Sequence, residues 1–313
     1  MKNIIKYAML MVGVTVILGN ADPASDANNF MALLEAKLNS FRVSEYAPDI
    51  KIAGEQLKNA DPCQVFGLFS KYENDPCWIV REQTYRQEVY FANLQPKPEI
   101  RQEVVCRLIK AFVDPNSGLS GQASTWLLTF NEKDFNNGAK GIIRKVMEKP
   151  GKGTVLICGV ANIQEELPHL KELLVDELEY EKRTREPWWF QLSWKARLAR
   201  ARMGVEEDIE MCIDMIEHEV DSTNTFELLG SLGYIRQPQA IESLKRYLES
   251  DLRLPQVKLT VPGERYASYV THILADCLSN FPIEKREGRG YTMEEIELCR
   301  KWMSEQTEWK IIR

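Results

Sequence analysis

Apolar residues recur in the second half of the chain with a fixed spacing. Leu167, Leu170 and Leu174 sit at relative positions 0, 3 and 7. Ile209, Cys212 and Ile216 repeat that spacing, and Ile241, Leu244 and Leu248 repeat it again. The sets start 42 and 32 residues apart. Each set predicts one apolar stripe on a helix, and stripes that return every 30–45 residues or so predict stacked helical hairpins.

The punctuation between stripes agrees. Pro238 stands where a first helical residue belongs, and Ala240, Ile241, Leu244, Tyr247 and Leu248 follow on one face. Phe226, Leu228, Leu229 and Leu232 predict a partner helix, and Gly233 is placed to end it in a left-handed turn. The short connection from Gly233 to Gln237 makes the two helices antiparallel neighbours. Cys158 to Leu174 reads the same way, with a turn through Ala161-Asn162-Ile163. Tyr269, Val270, Ile273, Leu274, Cys277 and Leu278 give a further stripe that Pro282 stops. Thr292 and Glu295 predict a capping box at the start of the last helix.

The first half is also helical in pattern but less regular. Phe30, Leu33, Leu34, Leu38 and Phe41 form one stripe, and Ile100, Val104, Leu108 and Phe112 another. Leu119, Ala123, Leu127 and Phe130 follow, then Phe135, Ile142, Val146 and Met147. Prolines at 48, 62, 76, 96, 98, 115 and 150 fall where hairpin turns belong. Short extended pieces are expected only at Val257 to Val261 and Lys310 to Arg313. The pattern divides the chain into an irregular helical region at 22–150 and a repeat region at 151–313 continuous with it.

The run from Leu229 to Leu244, Leu-Gly-Ser-Leu-Gly-Tyr-Ile-Arg-Gln-Pro-Gln-Ala-Ile-Glu-Ser-Leu, resembles a HEAT-type repeat unit. In that family a first helix ends near a Leu-Gly, and the second begins close to a Pro with Ala and Leu facing inward. Cys158 to Leu174 is similar, Trp189 to Ile216 and Tyr266 to Met303 less so. The Asp common in the family's turn is absent from the two better units. The resemblance implies an all-α, right-handed α-solenoid that binds proteins. It carries over no catalytic residue.

Residues 1–21 predict an export signal. Lys2 and Lys6 give a basic start, Ala8 to Leu18 is free of charge, and Gly19-Asn20-Ala21 sets small residues before a cut at Asp22. Eleven core residues are too few to cross a bilayer, which takes about 20. No stable membrane insertion is therefore expected after cleavage. The destination is periplasmic or secreted, in a bacterium by preference. The whole chain carries a net charge of −6. Removing Lys2 and Lys6 makes it more acidic still. An acidic exported chain is a poor partner for nucleic acid, whose phosphates need a positive surface.

Candidate chemistry is sparse. The histidines are His169, His218 and His272. Glu166 and His169 have the Glu-x-x-His spacing of di-iron bundles, but a single copy does not make such a site. Gly151-Lys152-Gly153-Thr154 glances at a phosphate loop, yet Gly153 stands where the pattern needs Ser or Thr. It reads as an interhelix turn. Neither a metal nor a cofactor is expected. Asp61-Pro62-Cys63 recurs as Asp75-Pro76-Cys77, each read as an N-cap, a first-turn Pro and a Cys. Cys63 and Cys77 are the candidate disulfide. A helix between them sets its ends about 16 Å apart, against the ~7 Å between Cα atoms that a bridge tolerates. Cys106, Cys158, Cys212 and Cys277 fall on apolar stripes as buried thiols.

Pro187-Trp188-Trp189-Phe190 leads into Trp194, Lys195, Arg197, Arg200 and Arg202. On a helix Trp189, Leu192, Ala196, Ala199 and Met203 share one face, and Phe190, Trp194, Leu198 and Ala201 share another. One reading is a helix buried on two sides, as inner repeats require. The other leaves Trp188, Trp189 or Trp194 exposed beside Arg197, as a protein hot spot or a platform for a sugar. The expected function is a non-catalytic exported scaffold that binds a protein partner. The alternatives are a glycan- or small-ligand-binding helical module using those Trp residues, or a helical enzyme.

Overall fold

The computed structural model describes residues 23–41, 54–219, 225–250, 266–285 and 290–313, with side chains from residues 31 and 57 onward in the first two. The expected export signal and the extended piece at 257–261 lie outside these residues. Among the described residues the fold is all-helical, with one isolated antiparallel bridge between Leu278 and Ile311. That bridge realises part of the extended piece expected at 310–313. The chain divides into two compact units, Met1–Pro96 and Lys97–Arg313. The change of character expected at residue 150 thus falls inside the second unit.

The first unit contains α1 (Pro23–Ser40), α2 (Gly54–Asn59), α3 (Pro62–Tyr72) and α4 (Trp78–Leu94). The long α4 packs against the other three. The buried apolar residues of this unit include Leu34, Leu38, Leu57, Val65, Phe69, Val80 and Phe91. Asp61 caps α3 as expected, accepting from the Cys63 N–H at 3.1 Å, with Pro62 opening the helix. Asp75 does not cap α4. Its Oδ1 accepts from the Cys77 N–H at 2.9 Å, and Cys77 itself is the N-cap. Pro76 therefore serves the turn rather than the first helical position.

All seven cysteines are free thiols, so Cys63 and Cys77 do not form the candidate bridge. Cys63 lies in the first turn of α3 and Cys77 follows its far end, and an 11-residue helix separates its ends by about 16 Å. Cys158, Cys212 and Cys277 are buried as the stripes predict. Cys106 is only half-buried, because its Sγ meets Asn136 at the surface. Burial pushes the Cys158 thiol up to about 12 and the Cys277 thiol up to about 11. Since the thiolate is the reactive form, a maleimide pulse on the native protein should label Cys63 first. Cys158, Cys212, Cys277 and Cys299 should label only after denaturant is added, as peptide mass mapping would show.

The second unit contains α5 (Pro98–Phe112), α6 (Ser117–Leu127), α7 (Asn137–Val146), α8 (Lys152–Val160), α9 (Leu167–Glu172), α10 (Glu177–Thr184), α11 (Leu192–Arg202), α12 (Glu206–Glu219), α13 (Thr225–Ile235), α14 (Pro238–Glu249), α15 (Tyr266–Cys277) and α16 (Met293–Glu305). Sequential helices pair, as α5 with α6, α7 with α8, α11 with α12, α13 with α14 and α15 with α16. Helices of successive hairpins also touch. One series runs α6, α8, α11, α13, α15, and another runs α12, α14, α16. Ile209, Cys212 and Ile216 on α12, and Ile241, Leu244 and Leu248 on α14, are all buried, so two of the three stripes are seams of this core. The stripe at 167–174 is not one helix face. The α9 helix stops at Glu172, and of the three leucines only Leu170 is buried.

Helix ends follow local chemistry. Asn116 and Asn136 cap α6 and α7 through their side chains. Gly151 precedes α8, so the Gly-Lys-Gly-Thr run is a helix start. Thr292 and Glu295 form the capping box on α16. At the other ends, Asn162 after α8 and Gly204 after α11 have φ of +51° and +93°. The Ile163 N–H donates to the Cys158 carbonyl and the Val205 N–H to the Arg200 carbonyl. Both are Schellman closures. The α13 helix runs past Gly233 to Ile235, and Arg236 instead takes the left-handed position with φ +49°. Gly233 stays helical because Ile273 of α15 packs against it where a Cβ would stand.

Gly159 plays the same part between α8 and α11. A Cβ there would lie 2.8 Å from the Cα of Ala199 and press on the Tyr234 hydroxyl. Backbone cannot yield as a flexible side chain does. Gly159→Val should therefore destabilise the second unit by about 1–3 kcal/mol through overpacking. Urea denaturation followed by tryptophan fluorescence would measure it.

Candidate functional site

The aromatic cluster expected as a binding surface is a core. The α11 helix packs against α8, α9, α12 and α13. Ser193, Trp194 and every residue from Ala196 to Ala201 are buried. Trp194 is 0% exposed and Trp188, on the short 3-10 turn Trp188–Phe190 before the helix, is 1% exposed. Their rings meet edge to face at 4.5 Å, and Trp188 meets Trp189 at 5.4 Å. Burying two indoles this way removes apolar surface from water and adds the quadrupole attraction of T-shaped pairs. Of the predicted platform, Trp189 is half-buried and its neighbour Phe190 is 42% exposed. Trp188 and Trp194 cannot stack on a sugar from these positions.

Arg197 is buried too, within a four-residue ion network. Its Nε and Nη2 donate to Glu177 at 3.1 and 3.2 Å, and its Nη1 donates to Asp208 at 3.0 Å. Arg200 Nε donates to the other Asp208 oxygen at 2.7 Å. Ser193 Oγ donates to Glu177 at 2.8 Å. Burial works against the Arg197 charge, but the hydrogen bond and charge of Glu177, with Asp208 behind it, raise its pKa further. Two cations face two anions, and the network ties α10, α11 and α12 together. Its carboxylate oxygens are occupied by guanidinium groups, so they hold structure rather than move protons for a substrate. The sequence grouped Arg197 and Arg200 with the tryptophans. The chain distance to Glu177 hid their partner.

His169 Nδ1 lies 3.3 Å from Glu166 on the surface of α9, which is a local pair. Among the described residues no three His, Cys, Asp or Glu side chains are grouped to hold a metal.

The open polar site lies elsewhere, where α8, α11, α13 and α15 end. A cavity of about 100 Å³ is lined by Glu132, Asn162, Arg202, Arg236, Gln237 and Arg313 among others. A second, of about 210 Å³, is lined by Leu128, Arg202, Tyr234, Arg236, Asp276 and Lys285 among others. Arg202 and Arg236 belong to both. Carbonyls from separate segments converge here, and arginines satisfy them. Helix C-termini expose carbonyls and carry partial negative charge. Arg202 Nη1 donates to the Tyr234 carbonyl in the last turn of α13 at 2.6 Å, whereas Arg236 Nη1 donates to the Ile312 carbonyl, beyond the last helix, at 2.8 Å and to Asn131 Oδ1 at 3.1 Å.

Asp276 takes Arg236 Nη2 at 2.8 Å and Lys285 Nζ at 2.7 Å. Burial raises the Asp276 pKa, but Lys285 and Arg236 outweigh it and leave it lowered. Arg202 has the ring of Tyr234 under its guanidinium at 5.0 Å but no ion-pair partner among the described residues. Desolvation pulls its pKa down to about 10. Arg202 was visible in sequence only as the last of a basic run. Arg236 stood inside the repeat-like segment, and its sole signal was an Arg directly after the apolar end of a helix.

No family model matches the chain, and no curated protein matches it either.

Proposed function

We propose that this chain is an exported, non-catalytic binding protein whose second unit is a right-handed α-solenoid of HEAT-like hairpins, and that its partner is a protein with a basic surface. The observation that carries the reading is the double register of packing from α11 onward: α11, α12, α13 and α14 each meet the next helix and also the helix two places on. Repeats that touch only their neighbours give a fold that behaves as a stack and presents long rows of helices for contact. The row α12, α14, α16 is the one that the hairpin's second helices form. Its exposed side chains include Glu207, Glu210, Asp214, Glu242, Glu249 and Glu297, with Met211 and Leu298 uncovered among them. Acidic residues around exposed apolar ones suit a basic partner, with charge steering the encounter and the separate apolar side chains supplying contact area.

The test is crosslinking in the exported fraction of the native source, followed by affinity purification. One stoichiometric, basic protein that the native chain binds in salt-sensitive fashion supports the reading. Loss of that protein on triple reversal of Glu207, Glu210 and Glu242 to Lys places it on this row. Recovery of no partner, together with turnover of a substrate by the purified chain, would overturn the reading.

A further inference from the structure

The cavity between α11, α13 and α15 has a mixed lining. Its apolar part comes from Leu128, Gly230, Gly233 and Ile273. Its charged part is Arg202, Arg236 and Lys285 with a single carboxylate, Asp276, and His272 also lines it. Three cations against one anion is an excess in a chain whose overall charge is −6. Asp276 is already taken by Arg236 and Lys285. Arg202 is left without a counter-ion among the described residues. Arg236 is 6% exposed, and its Nε has no hydrogen-bond partner among the described residues. A desolvated cation without a counter-ion is costly in free energy even when a carbonyl takes one of its donors, and an entering anion offsets that cost.

We propose that this cavity binds a small monocarboxylate with a short apolar body. The guanidinium of Arg202 takes the carboxylate, Arg236 and Lys285 supply further positive potential, and the apolar chain lies along Leu128 and Ile273. Size sets the scale. At about 210 Å³ the cavity is smaller than the ~300–1,000 Å³ of sites for drug-sized ligands. Charge sets the class. The ends of α11, α13 and α15 bring partial negative charge to the same place, and Arg202 and Arg236 each spend one donor on a carbonyl. What remains suits one negative charge better than two, and a planar acceptor matches the guanidinium fork. This site is independent of the acidic helix row, so either proposal can fail alone.

Isothermal titration of the purified full-length protein with sodium 4-methylpentanoate tests the proposal. Parallel titrations use 4-methylpentanamide and inorganic phosphate at the same ionic strength. Saturable binding of the carboxylate, with weaker or absent binding of the neutral amide and of phosphate, is expected. Arg202→Gln should weaken the carboxylate by roughly 10- to 100-fold, the worth of a charged hydrogen bond. Thermal unfolding of that variant checks that it is folded. The half-exposed Lys285→Ala provides a second variant, expected to weaken binding several-fold without loss of fold. No saturable binding to the native protein overturns the proposal. So does equal binding of acid and amide, tighter binding of phosphate, or unchanged affinity in a folded Arg202→Gln.

Discussion

Trp194→Ala should destabilise the second unit by about 3–5 kcal/mol, the usual cost of deleting a large aromatic from a core. Trp194 is wholly buried, with Trp188 edge-on at 4.5 Å, so the surrounding rings lose their partner as well as their apolar cover. The helix that carries it touches four others, which limits how far the site can collapse around the hole. For a unit of this size the loss corresponds to a fall in melting temperature of about 6–20 °C. Trp194→Phe is the informative companion. The indole N–H of Trp194 has no hydrogen-bond partner among the described residues. Phenylalanine removes that unpaired donor while keeping most of the ring, so it should cost clearly less than alanine. Melting curves of the two variants by circular dichroism decide the matter. Were Trp194 a ligand platform instead, both variants would keep the native melting temperature and lose only binding.

The contrast between stripe and cluster shows what the sequence makes legible. Ile209, Cys212 and Ile216 could be placed because helical spacing is a local property, and a helix with one apolar stripe has one way to bury it. The capping box of Thr292 and Glu295 and the opening Pro238 were legible for the same reason, since each is closed within one turn. The 167–174 stripe misled because spacing says nothing of helix length. Pro168 opens α9, but the helix ends at Glu172, before Leu174 is reached. Gly233 misled because a glycine serves two ends. It permits a left-handed turn, and it also permits close approach. Only the presence of Ile273 across the interface decides between them. Trp188 and Arg197 were recognised as the distinctive residues, yet their exposure depended on Glu177, Asp208 and the four helices around α11. Those contacts span 11 to 20 residues and carry no periodic signature. The Arg202 and Arg236 site was the least legible. It is made where helices end, from arginines whose carbonyl partners lie 32 and 76 residues away, and nothing in their own segments says that they converge.

Asp208→Ala should destabilise the second unit by about 3–5 kcal/mol, because it leaves buried positive charge without its counter-ion. Asp208 is 1% exposed and accepts from Arg197 Nη1 at 3.0 Å and Arg200 Nε at 2.7 Å. Without it Arg197 keeps Glu177, but Arg200 keeps only the Leu167 carbonyl at 3.4 Å. The loss should therefore come mainly from Arg200. Arg200→Met combined with Asp208→Leu removes one cation with one anion and leaves Arg197 paired with Glu177. Replacing buried ion pairs by apolar residues of similar volume is often neutral or better. The double variant should thus recover most of the stability that Asp208→Ala loses, although it alters more atoms. A thermodynamic cycle over Arg200→Met, Asp208→Leu and the pair, from urea midpoints, reads the coupling directly. Strong coupling confirms that the penalty lies in the stranded charge. Additive single effects would instead mean that Asp208 matters through packing at the start of α12, and that the network is not what joins α10, α11 and α12.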